Sequence, residues 1–552
     1  MFTTIRTIKG NKYVYLIHNK RKNGKVVRAW EKCLGPEEKV GHLFKPTIEL
    51  PDFFKYYHFG ADLAIYEIAQ RLQLRGTIDT WAKKREEREK VSDYVLLMVI
   101  NRCVEPRSKY SLIKWYQKSA LKFILGVPES KVRCDNFCRH MDKLLPNIKL
   151  IESEIVTKMM LLFKIDLDCL YYDITNQYFF HDTNTKSELL KHGPNKAKRF
   201  DLLQVNIALL VTKDYGIPLF HESFAGNIRD VTKFSEHVDM LVNRFELFAK
   251  HCKDITLIFD KGNNSKENIS KIKKYHFIGS LKPYDFKHLL RISLERYKPV
   301  YDNDNKRTDI LAYRTKEKVF GAERTVILTF DEETKNRNMA TFKSNITKRY
   351  NVLKEFENEI NEKLAGERKS KWRKKQNIKE KVELILNKKS TKGIIEYSVI
   401  NEKGNIKINR WINQKEFRKK TKDFGKNILF TDQDKWSTYD IIIAYRDKDV
   451  IEKNFQLMKN PEIVTVEPMN HRLDKRIRAH IYQCVIALQL LALLKKVLHE
   501  NGIKLSIYEI LEELKDIKLI EFKIKGEKYK RITELNTKQK RIMDVLELKK
   551  YT

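Results

Sequence analysis

One carboxylate set among an aromatic ring and two ammonium groups is the arrangement in this chain best suited to chemistry: Tyr445, Lys448, Glu452 and Lys459 lie within one fifteen-residue window. On a helix, at about 100° per residue, these four fall within about 60° of one another and make a single stripe. Ile451, Phe455 and Met458 occupy the adjoining arc and would anchor the helix on a core. A carboxylate flanked by cations at the mouth of a cleft suits a metal-bound phosphodiester. For this window alone, an amphipathic surface helix carrying a Glu and some Lys is the plain alternative.

Two further acids turn the stripe into part of a constellation. Asp173 lies inside Cys169-Leu-Tyr-Tyr-Asp173-Ile-Thr, whose aromatic and β-branched content reads as a buried central strand. An acid there is costly unless paired or metal-bound. Asp260 closes the apolar run Ile255-Thr-Leu-Ile-Phe and precedes a Lys-Gly-Asn-Asn turn leading into a helix near Ser265. Acids at the ends of parallel strands point into the crevice where α/β proteins bind ligands. A loop cap is the competing role for either acid taken singly. Together with Glu452 they form a candidate carboxylate triad. An all-oxygen donor set selects hard divalent cations, Mg²⁺ with Mn²⁺ as a substitute, over Zn²⁺.

These residues resemble the DDE transposases of bacterial and archaeal insertion sequences, in the IS-four-like group with a Tyr-(2)-Arg-(3)-Glu-(6)-Lys signature. The spacing Tyr445-(2)-Lys448-(3)-Glu452-(6)-Lys459 matches it, with Lys448 where the family has Arg. Lysine keeps the charge but lacks the bidentate fork of arginine. Asp260-Lys-Gly262-Asn-Asn-Ser265-Lys-Glu-Asn268-Ile269 is similar to the family's second-acid block. Arg199-Phe-Asp201-Leu-Leu-Gln204, Gly216-Ile-Pro218-Leu and Gly226-Asn227-Ile-Arg-Asp230 resemble the long-insertion subgroup. The resemblance spans about residues 1 to 500. It implies two metal ions held by Asp173, Asp260 and Glu452, with Asp173 bridging, which cut transposon ends and then use the freed 3′-OH for strand transfer into target DNA. It further implies that Tyr445, Lys448 and Lys459 hold the DNA backbone, and that a homodimer synapses two terminal inverted repeats.

Charge agrees with a polyanionic partner. The net charge is +37, from 110 Lys and Arg against 73 Asp and Glu in 552 residues, spread along the chain rather than gathered in a tail. A membrane surface is the rival polyanion, but the longest apolar run, near Cys484 to Leu494, reads as a buried helix. The N-terminus lacks the apolar core of a signal peptide, so the expectation is a cytoplasmic, nucleoid-associated protein. Seven cysteines give no disulfide framework. Cys134-(3)-Cys138-x-His140 invites a zinc reading, yet no second ligand pair follows at finger spacing. No Walker loop or dinucleotide fingerprint indicates a nucleotide cofactor.

The elements that must position the acids suggest an α/β chain whose RNase H-like catalytic core is interrupted by a β-containing insertion. The expected pieces are an N-terminal β region over 1–57, with a hairpin turning at Asn23-Gly24, and a helical DNA-binding domain over 58–165 with basic clusters such as Lys83-Lys-Arg85. The core's first part covers 166–300, including a helix from Val231 to Lys250. An insertion over 301–435, core closure over 436–500 and a helical, basic tail over 501–552 complete the chain. Roughly 190 residues separate Asp260 from Glu452, far more than one α/β unit needs. An inserted domain accounts for that span, and its lysines would lie beside bound DNA. In the resembling family the region after Glu452 closes the core, which puts His471, Arg472 and His480 near the active-site edge, although His480 also fits as a structural helix residue. A stand-alone RNase H-like nuclease or a catalytically inactive DNA-binding descendant would share many of these features.

Overall fold

The computed structural model describes the chain except residues 23–24, 45–52, 83–89, 181–185, 196–198, 229–233, 235–236, 238–239, 241–253, 367–369, 403, 468 and 525. The Asn23-Gly24 turn, the Lys83-to-Arg85 cluster and most of the expected Val231–Lys250 helix lie outside the described residues, although Phe234, His237 and Met240 are helical.

Strands β1 (Phe2–Ile8), β2 (Asn11–Lys22) and β3 (Lys25–Pro36) form an antiparallel sheet covered by helix α1 (Glu37–Phe44). The expected hairpin is β2–β3. β1 is the added strand, and its Phe2, Ile5 and Ile8 remain exposed, so it has no one-sided apolar alternation to mark it. Strand β4 (Phe54–His58) then pairs with β16 (Lys518–Ile524), itself paired with β17 (Glu527–Ile532), so the last fifty residues return to the start of the chain.

A helical layer follows, built from α2 (Gly60–Arg71), α3 (Leu74–Trp81), α4 (Val91–Val104), α5 (Cys134–Leu144) and α6 (Ile148–Phe163). α4 is buried almost all round, as a helix apolar on every face must be.

The acids sit on a mixed sheet that contains nine strands among the described residues. β5 (Cys169–Phe179), β6 (Leu203–Thr212) and β7 (Pro218–Ala225) form an antiparallel meander, and β8 (Thr256–Phe259) and β9 (His276–Ser280) add to the other side of β5 in parallel. The sheet continues antiparallel through β15 (Lys426–Thr431), β12 (Ala322–Asp331), β11 (Arg307–Val319) and β10 (Lys298–Tyr301). Every residue of β6 is buried, which is why its sequence is a continuous apolar run rather than an alternating one.

Three strands of the interval 301–435, β11, β12 and β15, thus belong to the main sheet. Between β12 and β15 the chain builds a second apolar core. It comprises α7 (Glu332–Gly366), α8 (Lys375–Leu386), the hairpin β13 (Ile395–Glu402) and β14 (Asn405–Ile412), and α9 (Gln414–Thr421). Leu353, Phe356, Ile360 and Val382 are at its centre.

The chain then forms α10 (Thr438–Arg446), α11 (Asp449–Leu457), α12 (Asp474–Glu500), α13 (Ile507–Lys515) and α14 (Thr537–Val545). α12 is the spine of the molecule: it packs on α2, α4 and α5 and on β7, and Gln489 Nε2 donates to Pro218 O at 2.9 Å. It is long and apolar enough to cross a membrane, but 89% of its apolar window is buried inside the fold, which makes it a core helix.

Candidate active site where β8 ends beside β5

Parallel register brings the first two acids together. Tyr172 of β5 stands opposite Phe259 of β8, and each is followed by an aspartate, Asp173 and Asp260. Neighbouring strands lie about 4.8 Å apart, so the two acids begin as neighbours. β8 ends there while β5 runs on to Phe179, and a crevice opens along the flank of β5.

The turn after β8 is braced by its own side chains. Ser265 Oγ accepts from Asn268 N at 3.0 Å, Asn268 Nδ2 donates to Asn263 O at 2.7 Å, and Asn264 Nδ2 donates to Ser280 O at 2.6 Å. The helix expected near Ser265 begins at Lys266 with Ser265 as its cap. The Gly-Asn-Asn-Ser block is therefore a clip that fixes the backbone carrying Asp260.

The even residues of β5 face one side of the sheet, where Tyr172 Oη meets His237 Nδ1 at 2.6 Å. The odd ones face α10 and α11: Tyr171 Oη donates to Ala444 O at 3.0 Å, and α11 packs on β5. Asp173 and Thr175 belong to this odd face.

The stripe expected over Tyr445–Lys459 is interrupted. Asp447 and Lys448 separate α10 from α11, and the junction is closed by tighter three-residue bonds, Val450 N to Asp447 O and Ile451 N to Lys448 O. Tyr445 is consequently buried, only 7% exposed, with its hydroxyl 3.4 Å from Asp260 Oδ1. Lys448 Nζ donates to Asp260 Oδ1 at 2.9 Å and lies over the Tyr445 ring. Lys459 Nζ donates to Thr175 Oγ1 at 2.9 Å, two residues along the same face from Asp173. Ile451, Phe455 and Met458 are buried as the anchoring arc.

Glu452 stands exposed on α11 with no hydrogen bond or ion pair to another described residue. The structure therefore joins Asp173, Asp260, Tyr445, Lys448 and Lys459, and leaves Glu452 one turn away from Lys448. Among the described residues no three His, Cys, Asp or Glu side chains converge closely enough to hold a metal ion.

Burial pushes the Asp260 carboxyl up, but the hydrogen bond and charge of Lys448, with the backbone N–H and charge of Lys261, outweigh it and hold Asp260 below the usual carboxylate range. Desolvation lowers Lys448, yet Tyr445, Asp260 and Asp173 more than restore it, so its ammonium is held charged. Burial, with Lys448 opposing and Asp260 assisting, raises the Tyr445 phenol to about 12. Lys448 is thus a built-in cation serving both aspartates.

α11 is seated by a glycine. Gly216 has φ +64°, its carbonyl accepts from Asn454 Nδ2 at 2.7 Å, and a Cβ there would stand 2.7 Å from Val450 Cγ2. Thr175, Lys261 and Glu467 escaped the sequence reading. Thr175 carries the period-two relation to Asp173 that would have shown it, whereas Glu467, which accepts from Gln177 Nε2 of the same strand face at 2.9 Å, is brought in only by folding.

Cys134 and Cys138 are free, half-buried thiols on α5. His140 Nδ1 bonds Asn136 O at 2.7 Å and its ring stacks on Tyr94, and among the described residues it forms no three-ligand cluster with Cys134 and Cys138. His480 is buried inside α12, with Nε2 3.0 Å from Val466 O.

No protein-family model matches the chain, and no curated protein sequence matches it. Among solved structures it is similar to a piggyBac transposase synaptic complex with hairpin DNA, at 9% identity over 84% of this chain and 82% of that one, with a TM-score of 0.38. A likeness that loose carries no argument about mechanism.

Proposed function

We propose that this chain is a DDE-type DNA transposase acting on the ends of an insertion sequence. The observation that carries the reading is the Tyr172–Phe259 register with Lys448 seated on Asp260: it joins the mid-strand Asp173, Asp260 at the end of β8, and the Tyr and Lys residues of the Tyr-(2)-Lys-(3)-Glu-(6)-Lys segment. The order β7-β6-β5-β8-β9, antiparallel then parallel, supports an RNase H-like core. Residues 332–425 are then the insertion, bounded by β12 and β15.

Asp173, Asp260 and Glu452 would hold the divalent ions. The all-oxygen donor set fits them, and the ammonium already gathered by the two aspartates marks a place where positive charge is stabilised. Such ions, when bound, activate a nucleophile and steady the leaving oxygen of a phosphodiester. The chain's own groups do the rest. Lys448 and Lys261 keep Asp260 ionised, Tyr445 helps orient it, Lys459 offers its charge beside the β5 flank, and Glu452, one turn along from Lys448, would supply the third carboxylate. The substrate is double-stranded DNA, the terminal repeats and then the target, and two copies pair the ends beside the nucleoid.

The test uses a plasmid carrying the DNA that flanks this gene, incubated with the full chain and Mg²⁺. Cleavage at the repeat ends followed by joining is the expected result. Asp173→Asn, Asp260→Asn and Glu452→Gln should each lower cleavage by more than about a hundredfold, beyond the scale of losing an outer-shell partner, with DNA binding little changed. Near-normal cleavage by any of the three would sink the triad. Cleavage without joining would identify a nuclease instead.

A further inference from the structure

We infer that the pocket formed by Arg102, Lys109, His471, Arg472, Arg476 and His480 is a binding site for a phosphate oxyanion. It is a cavity of about 330 Å³ between α4, α5 and α12, separate from the aspartates. The inference stands on its own geometry and not on the transposase reading.

Two of its cations are buried without counter-charge. Arg102 is 1% exposed, and its guanidinium donates only to backbone carbonyls, Thr465 O at 3.0 Å, Glu467 O at 3.4 Å and Arg107 O at 2.9 Å. Arginine does not give up its proton in proteins. Lys109 is 7% exposed, and among the described residues its Nζ makes one hydrogen bond, to His480 Nδ1 at 3.2 Å. Because His480 Nε2 faces the Val466 carbonyl, an acceptor, Nε2 carries the proton and Nδ1 accepts from Lys109. An ammonium has three donors, so two remain to face the cavity.

Neither Arg102 nor Lys109 meets a carboxylate among the described residues. Asp142, the acid paired with the pocket's Arg476, is already held by Arg476 and Lys475. An unpaired buried cation costs several kcal/mol; burial and the neighbouring Arg102 charge lower Lys109 to about 7, so an anion entering the opening beside Arg472 and the exposed Tyr110 would favour its ammonium form. Donors from Arg102, Lys109 and Arg472 around one cavity suit an anion with several acceptor oxygens. The same cations oppose a zinc ion on Cys134 and Cys138, which line the wall. An adjoining cavity of about 410 Å³ shares Asn470 and leads to Lys459, so the pocket continues the crevice along β5. The phosphate comes either free from solution or as a phosphodiester of a DNA strand on that path.

The experiment reads wild-type protein first. Cys134 and Cys138 line the pocket and Cys33 is exposed elsewhere, so maleimide labelling mapped by peptide gives each thiol's rate with Cys33 as the internal reference. Inorganic phosphate, against chloride at equal ionic strength, and a random-sequence duplex are the two probes. Slowing of Cys134 and Cys138 relative to Cys33 by phosphate, with a Tm rise of about 2 °C that Lys109→Met removes, supports the site with free phosphate as ligand. Slowing by duplex alone, with the salt slope of DNA binding reduced by about one in Lys109→Met, supports it with the DNA backbone as ligand. Unchanged labelling with both probes overturns it, whether or not the variant folds.

Discussion

Lys448 is the residue on which the site turns. It satisfies Asp260 directly and Asp173 through space, so two carboxylates at facing positions of adjacent strands are tolerated. Because its ammonium faces the acids, Lys448→Gln should leave the salt slope of DNA binding within about half a unit of wild type, whereas Lys459→Gln should lower it by about one. Equal losses from both would show that Lys448 meets phosphate instead. Lys448→Arg places a planar fork on Asp260 and should keep cleavage within about threefold. Glu452→Asp, one methylene shorter, should lose at least about tenfold in the same assay.

At the scale of elements, the acids are set by the strands and the cations by the joint between α10 and α11. Gly216→Ala tests the seat of α11, since it adds a Cβ against Val450 at a left-handed φ. We expect a loss of about 1–3 kcal/mol in urea unfolding, with cleavage falling further than stability because Glu452 moves with α11. Unchanged cleavage would mean that the position of α11 is set elsewhere. In the helical layer, burial raises Asp62 to about 7 despite the hydrogen bond from Ser119, so the folded chain keeps a proton that the unfolded chain releases near 3.8. Stability should therefore decline as pH rises from about 4 to 7 and level off above, by at most about 4 kcal/mol. Asp62→Asn should flatten that decline in denaturant titrations across the window, and an unaltered slope would count against Asp62 as its source.

Across the whole molecule, charge and topology divide the labour. Residues 332–425 carry 26 Lys and Arg against 13 Asp and Glu, about a third of the net charge in about a sixth of the chain. Their core is their own, and their two ends meet: Phe330 of β12 pairs with Lys426 of β15, and Asp331 N donates to Gly425 O at 3.1 Å. Replacing 332–425 by a short hairpin turn between Asp331 and Lys426 should leave a protein that unfolds cooperatively but binds DNA with a shallower salt dependence. A product without a cooperative transition would show that the second core supports the first. Cutting instead at 301 and 435 would remove β11, β12 and β15 from the main sheet.

The sequence by itself determined whatever depends on neighbours along the chain: the strand around Asp173 and the apolar run ending in Asp260, the Ser265 cap, the anchoring arc of α11 and the buried α12. It also carried the excess of positive charge, which is independent of conformation. Tertiary structure alone decided that β5 and β8 align Tyr172 with Phe259, that Lys448 reaches back to Asp260, and that β16 pairs with β4 across nearly the whole chain. Those outcomes depend on register and on pairing between distant segments, which local periodicity does not encode. The break at Asp447–Lys448 belongs with them. Both residues keep right-handed helical dihedrals, so nothing in local propensity marks the spot; packing of Tyr445 against the acid and of α11 on β5 sets it.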